Sequence, residues 1–159
     1  MSNPPAPKTI AASRISTGQL LQPEHANSLG NAHGGYIVKL ADECAALACM
    51  RHAGKRCVTV AIDRMTFRQP IRIGDLVTLT AEVTYAGHTS MEAEVFVVAE
   101  NPITGEQTHT NNAYFVFVAL NEDGTRANVP PLVAGDEEEA ARIEAAKLRQ
   151  QERLRQAGK

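Results

Sequence analysis

The chain has 159 residues and a formal net charge of −2, with 43% hydrophobic residues and no tryptophan. That length supports one domain with a substantial core and not two, and the apolar fraction excludes global disorder. The near-balanced charge excludes the basic footprint of a nucleic-acid binder.

Aromatic residues make up only 4%, so the core must be built from Val, Ile, Leu, Ala and Met. The three cysteines, Cys44, Cys49 and Cys57, are odd in number and form no CxxC, which points away from a disulfide framework or a zinc site. Cys44 and Cys49 are expected to act as small buried hydrophobes in a reducing compartment. The opening MSNPPAPKTIAAS lacks the apolar core of a signal peptide, and no run approaches a membrane span. The expectation is a soluble cytoplasmic protein with no membrane or nucleic-acid partner.

Residues 1–8 are Pro-rich and expected to be disordered, with a short edge strand at most over 9–16. Residues 1–13 are placed outside the domain, which runs from 14 to 133. The loop ANSLGNAHGG leads into a predicted helix from Gly34 to about His52, with Gly54 where a C-terminal cap belongs. Ile37, Leu40, Ala41, Cys44, Ala45 and Ala48 share one face of it, and Val38, Leu47 and Cys49 widen the apolar surface. Such a helix should be largely wrapped by other structure.

The period then changes to two. RCVTVAID (56–63) is a predicted strand, and MTFRQPIRIGD (65–75) its extension, ending in a Gly-Asp turn. In DLVTLTAEVTYAG (75–87), Val77, Leu79, Ala81, Val83 and Tyr85 alternate with Thr78, Thr80, Glu82 and Thr84. TSMEAEVFVVAE (89–100) and THTNNAYFVFVAL (108–120) follow, joined by the turn-rich NPITGEQ. Consecutive strands with short links imply an antiparallel sheet. The fold class expected is α+β: one long helix, the only available cover, wrapped by a curved antiparallel sheet, with exposed edges that dimerisation would hide. The segment 134–159 is a charged outlier, acidic first and basic last, with Glu138–Arg142 an i,i+4 pair. Only Ile143, Leu148 and Leu154 are large and apolar there, so a solvated, partly frayed helix is expected.

HANSLGNAHGGYIVKLADECAALACMRHAG, followed by CVTVAIDRMTFRQPIRIGD, resembles the hotdog-fold acyl-CoA thioesterases of the brain-type and bacterial cytosolic group. The similarity continues through residues 79–120 to VPPLV, so it covers roughly residues 14 to 133. Its specific part is Asn27, then His33-Gly34-Gly35, then Asp42 seven residues after the second glycine; F-x-x-P-I-x-x-G-D is a second match. The resemblance implies a homodimer assembled into a homohexamer, a trimer of dimers, with active sites at the dimer interface. It implies Asn27 and Asp42 as a catalytic pair given by different subunits, hydrolysis of acyl-CoA to a free fatty acid and CoA, and no cofactor or metal.

Thioester hydrolysis needs an activated water or a nucleophile, stabilisation of the carbonyl oxyanion and a hold on the CoA. A carboxylate serves as general base or nucleophile. Asp42 lies beside Val38, Ala45 and Cys49 on the helical wheel and should be partly desolvated, a setting that makes a carboxylate a better base at neutral pH. The alternative is a flank carboxylate paired with Lys39 or a capping group. Gly34 and Gly35 open the helix, where free N–H groups and the dipole favour negative charge; the Gly35 N–H is the expected oxyanion donor. A tight turn needing positive φ is the other reason for such a pair.

Asn27 and Asn31 both suit loops and caps. Asn27 stands at the family's interval from Asp42 and is assigned the positioning of water or carbonyl, while Asn31 is left structural. His33 is expected at the helix entry or on the pocket wall, beside Gly34. Arg64, Arg68, Arg72 and Lys55 are candidate partners for the CoA phosphates, and Thr89 and Ser90 offer hydroxyls. Two other functions are weighed. A non-catalytic acyl-CoA sensor of the same fold would be favoured by an appended DNA-binding segment, and the N-terminal region is short and not basic. A hotdog dehydratase needs a His and an acidic residue arranged differently, and no such motif is present.

Overall fold

The computed structural model describes residues 5–109 and 112–159. In chain order these form α1 (Ile10–Ser13), β1 (Ile15–Leu20), a 3-10 turn (Pro23–His25), α2 (Gly34–Ala53), β2 (Arg56–Ile62), β3 (Leu76–Ala86), β4 (Ser90–Glu100), β5 (Gln107–His109), β6 (Ala113–Leu120) and α3 (Glu137–Gln156). All named strands pair antiparallel, in the order β1-β3-β4-β6-β2, and β5 lies against the far end of β4. The expected strand over 108–120 is thus β5 and β6, with residues 110 and 111 outside the described ones.

The expected long helix is α2. His33 caps its start through Nδ1, which accepts the Gly35 N–H at 3.0 Å, and Gly54 ends it at φ +64° with its N–H on the Met50 carbonyl. Lys8 Nζ satisfies two of the last carbonyls, those of Arg51 and His52, at 3.1 and 2.9 Å. Ala41, Cys44, Ala45 and Ala48 are wholly buried, so small side chains bring the helix backbone close to the sheet. Against them stand Val77, Leu79, Ala81 and Val83 of β3, Met91, Ala93 and Val95 of β4, and Phe115 and Phe117 of β6. The curled sheet around one long helix is the hotdog arrangement expected, and it is α+β.

The outer face of the sheet departs from expectation. α2 is not the only cover, because α3 packs on the opposite face, and it is neither solvated throughout nor frayed. Asp136 caps it by accepting the Glu139 N–H at 2.8 Å, and Ile143 and Ala146 are buried beneath it. Glu82, Thr84, Glu92 and Glu94 point outward from β3 and β4 and are buried all the same. Arg142 bridges Glu82 and Glu94 at 2.6 and 2.8 Å, while Arg149 and Arg153 hold Glu92 at 2.8 and 2.9 Å. The Arg149 guanidinium also lies 3.9 Å from the centre of the Tyr114 ring. Positions 142, 149 and 153 fall on one helical stripe, so α3 docks by charge and hydrogen bonds, which a count of apolar residues does not register.

Three smaller differences have local causes. Residues 10–13, expected outside the domain, form α1 with Ile10 wholly buried. The Glu139 carboxylate accepts the N–H groups of Ile10 and Ala11 at 3.3 and 2.9 Å. The strand expected over 65–75 is absent: the chain leaves β2 after Ile62, and Pro70 has no N–H to give a ladder. A turn closes this segment, with Gly74 at φ +92° and the Arg72 N–H on Asp75 Oδ2 at 3.2 Å. Tyr85 is only half-buried, because the register slips between Val83 and Tyr85.

Candidate functional site

The loop before α2 is built on Asn27. Its Oδ1 accepts the N–H groups of Leu29 and Asn31 at 2.9 and 3.2 Å, and its own N–H donates to the Asn31 carbonyl at 2.7 Å. Gly30, at φ +79°, lets the chain turn back on itself there. The loop role open to Asn27 is therefore real, but it uses only the oxygen. Among the described residues Nδ2 has no partner, and Asn27 lines a cavity of about 390 Å³ with Leu29, Gly34, Ile37, Phe67 and Arg68.

At the mouth of α2, neither glycine needs a positive φ, which removes the tight-turn explanation. A Cβ on Gly35 would meet the His33 ring at 3.0 Å, and one on Gly34 would touch Phe67 at 3.6 Å. Gly35 therefore makes room for the imidazole. Its N–H, expected to be free for an oxyanion, donates to that imidazole in this structure. His33 is at the helix entry, as expected.

Asp42 lies half-buried on the flank of α2 facing β2. Thr59 Oγ1 donates to Asp42 Oδ1 at 2.7 Å. Lys39 is engaged by Glu43 at 3.3 Å, so the alternative of an Asp42–Lys39 pair does not occur. Asp42 Oδ2 has no partner among the described residues and can accept a proton from water or substrate. Two thiols lie near. Burial pushes Cys57 up to about 11 and Cys49 also well up, with Cys57 and Asp42 adding to the latter, so both stay protonated at neutral pH. The carboxylate is the reactive group available.

One chain does not bring the whole predicted set together. Asn27, Gly34 and Arg68 share the cavity, while Asp42 lies outside its lining, towards the sheet edge formed by β2. Arg64 is exposed, with no ion pair among the described residues. Thr89 and Ser90 lie in and after the β3–β4 turn, where the Thr89 carbonyl accepts the Ala119 N–H and Ser90 faces Val118, outside the cavity lining. Thr59 and Phe67 were missed. The signal for Thr59 was available: it is the one hydroxyl in the apolar run CVTVAI, on the alternate positions shared with Cys57 and Ala61.

The edge itself is unusual. Val58, Val60 and Ile62 of β2 are each about half exposed, at 45%, 56% and 48%. A bulge between Thr59 and Ala61 interrupts the pairing with β6.

The family model described as Thioesterase superfamily matches residues 29–106. The rat cytosolic acyl coenzyme A thioester hydrolase is 35% identical over 147 residues, 91% of this chain. The chain spans only 39% of that relative's length. A solved apo-hexameric acyl-CoA thioesterase is 36% identical, covers 96% of this chain and 97% of its own, and superposes with a TM-score of 0.90. An acyl-CoA hydrolase from Staphylococcus aureus, solved with butyryl-CoA, CoA and CoA disulfide, is 29% identical at a TM-score of 0.85 and covers 94% and 92% of the two chains. It has also been solved with one asparagine, one aspartate or one threonine replaced by alanine. The cavity at the mouth of the helix, the carboxylate on its flank and the curled sheet around it therefore have a family: the chain belongs to the hotdog-fold acyl-CoA thioesterases of the thioesterase superfamily.

Proposed function

We propose that the chain is a thioesterase hydrolysing fatty acyl-CoA to free fatty acid and CoA. The observation that carries the reading is the Thr59–Asp42 hydrogen bond, which leaves Asp42 Oδ2 free among the described residues to take a proton. In the Staphylococcus aureus hydrolase the replaced asparagine, aspartate and threonine are fifteen and seventeen residues apart. Asn27, Asp42 and Thr59 stand at the same two intervals.

The chemistry follows from the groups present. Thr59 fixes one oxygen of Asp42 and leaves Oδ2 to take a proton from water. The hydroxide formed adds to the thioester carbonyl carbon, and the C–S bond then breaks as the thiolate of CoA leaves and is protonated. The developing oxyanion takes the Gly35 N–H from His33 Nδ1 at the helix N-terminus. Asn27 Nδ2 donates to the water or the carbonyl, and Arg64 and Arg68 meet the CoA phosphates.

Because Asn27 and Asp42 do not face one cavity in a single chain, each site draws Asn27 from one protomer and Asp42 from another. A second copy pairing along β2 covers Val58, Val60 and Ile62 and satisfies that strand edge. The hexameric state of the solved thioesterase supports a trimer of such dimers. The name of the rat relative supports a cytoplasmic location, and no described helix is long and apolar enough to cross a membrane.

A thiol-trapping assay over butyryl-CoA and palmitoyl-CoA tests the activity, and a binding-only module would retain both without releasing CoA. A single turnover in ¹⁸O-water tests the role of Asp42. A general base puts the label directly in the product acid. An attacking carboxylate forms a mixed anhydride, and water opening it at the aspartyl carbon leaves the label in the protein and gives unlabelled acid, an outcome a general base cannot produce.

A further inference from the structure

An ion pair ties the remote helix α3 to Asp63, four residues before the cavity wall begins at Phe67. Arg153 Nη1 lies 2.7 Å from Asp63 Oδ2, while its Nη2 binds the wholly buried Glu92 at 2.9 Å. Asp63 is where the chain leaves β2, and its N–H donates to the Tyr114 carbonyl at 2.8 Å. From there residues 64–71 run without a strand to Ile71, whose carbonyl accepts the Ala32 N–H at 2.7 Å. Phe67, Arg68, Gln69, Pro70 and Ile71 line the cavity between those two anchors. The far anchor is the Asn27 loop itself. The near anchor is Asp63, and the side chain that fixes its carboxylate belongs to α3.

We infer that Arg153 is a positioning residue for the substrate site: its hold on Asp63 sets where residues 64–71 stand, and so where Phe67 and Arg68 meet the bound acyl-CoA. Residues 64–71 carry no strand; Met65 packs against the core, and the Arg153–Asp63 pair fixes the start of the segment just before it. Arg153 is well suited to this, since its planar fork reaches Asp63 and Glu92 at once and Glu92 has no freedom to move. The inference rests on the reading of the cavity as the acyl-CoA site, but the placement of the segment can be tested without it.

The chain has no tryptophan, so Phe67→Trp introduces a single fluorescent reporter on the cavity wall. In that background, Asp63→Asn keeps the shape and the Arg153–Glu92 contact while removing the charge that Arg153 grips. The acrylamide quenching constant of the indole is expected to rise by about twofold on Asp63→Asn, as for a segment released at one end. Arg153→Gln should raise it similarly, and the double variant no further than the larger single effect. In the parent chain, Asp63→Asn should raise KM for acyl-CoA by about threefold or more with kcat little changed, and Asp63→Glu should recover part of it. Unchanged quenching in Asp63→Asn, or fully additive effects, overturns the positioning role. Changed quenching together with a parent chain that releases no CoA leaves the positioning intact and overturns the thioesterase reading instead. Arg153→Gln alone failing to fold does not matter to the outcome, because Asp63→Asn reports on the same contact.

Discussion

Glu82 and Glu94 face each other directly across β3 and β4, two like charges on neighbouring strands, and Arg142 lies between them with one nitrogen on each. Such a pair repels when unscreened. Arg14 holds Glu82 from the other side, but only α3 supplies a cation that bridges both carboxylates. Ending the chain at Gly135 should therefore destabilise the protein, by about 10 °C or more in melting temperature. Differential scanning calorimetry of the truncated and full-length chains measures it. A truncated chain that melts like the parent would mean that the helix rests on the sheet without supporting it.

Acid should loosen the same helix. Burial pushes the Glu92 carboxyl up. The hydrogen bonds from Arg149 and Thr84 and the charges of Arg149 and Arg153 outweigh that and hold it below the usual carboxylate range. The unfolded chain then binds this proton more readily than the folded one. The stability Glu92 contributes is complete above the ordinary glutamate range and lost as pH falls through the lowered folded value. At neutral pH Glu92→Gln should cost about 3 kcal/mol, the low end for a broken buried pair because both arginines keep some water. Urea titrations of parent and variant should converge as the pH falls below the ordinary glutamate range.

For catalysis the sharpest substitution is Asp42→Asn, which preserves shape and removes the charge. Turnover should fall by about a hundredfold or more, with acyl-CoA binding retained. Thr59→Val, which keeps the shape and removes the hydroxyl, should lower kcat by about tenfold through a loosened carboxylate. Steady-state rates alongside melting temperatures separate these losses from unfolding.

The shared site has its own test. Asn27→Ala and Asp42→Asn chains, each inactive, are denatured together and refolded as a mixture. Mixed dimers carry one site with both defects and one site with neither, so activity should return in part. Mixtures as inactive as their components would place both residues in the same protomer's site.

His33→Ala addresses the N–H that the imidazole occupies. Losing the cap should cost about 1 kcal/mol of stability. Turnover should be kept or rise, since the Gly35 N–H no longer has to be taken from His33 by the substrate. A fall in kcat comparable to that of Asp42→Asn would make the imidazole a participant.

Much of this was legible in the chain. The α2 boundaries follow from Gly34 and Gly54, and β3 from strict alternation up to Val83. What failed to show was anything carried by long-range polar contacts. Arg142, Arg149 and Arg153 look like solvated charges until the three glutamates opposite them are seen. Ile10 looks like part of a loose leader until Glu139 is found to hold the N–H groups around it. At the site, the motif singled out Asn27 and Asp42; Thr59 stands out as the one hydroxyl in CVTVAI, but its bond to Asp42 shows only once β2 lies beside the flank of α2. One chain leaves Asp42 outside the cavity that Asn27 lines, and no pattern within it says which cavity Asp42 serves.

Glu139 ties α1 to the start of α3. Its carboxylate holds Ile10 and Ala11 near the start and the Gly135 N–H near the finish. During synthesis Ile10 precedes its partner Glu139 by 129 residues. Until α3 is made, the outer face of β3 and β4 also presents three carboxylates with no arginine from it. A nascent chain can gather α2 and the sheet, but it cannot lock its first turn. A chain made only as far as residue 138 lacks the carboxylate that holds the N–H groups of Ile10 and Ala11 and leaves its outer sheet face uncovered.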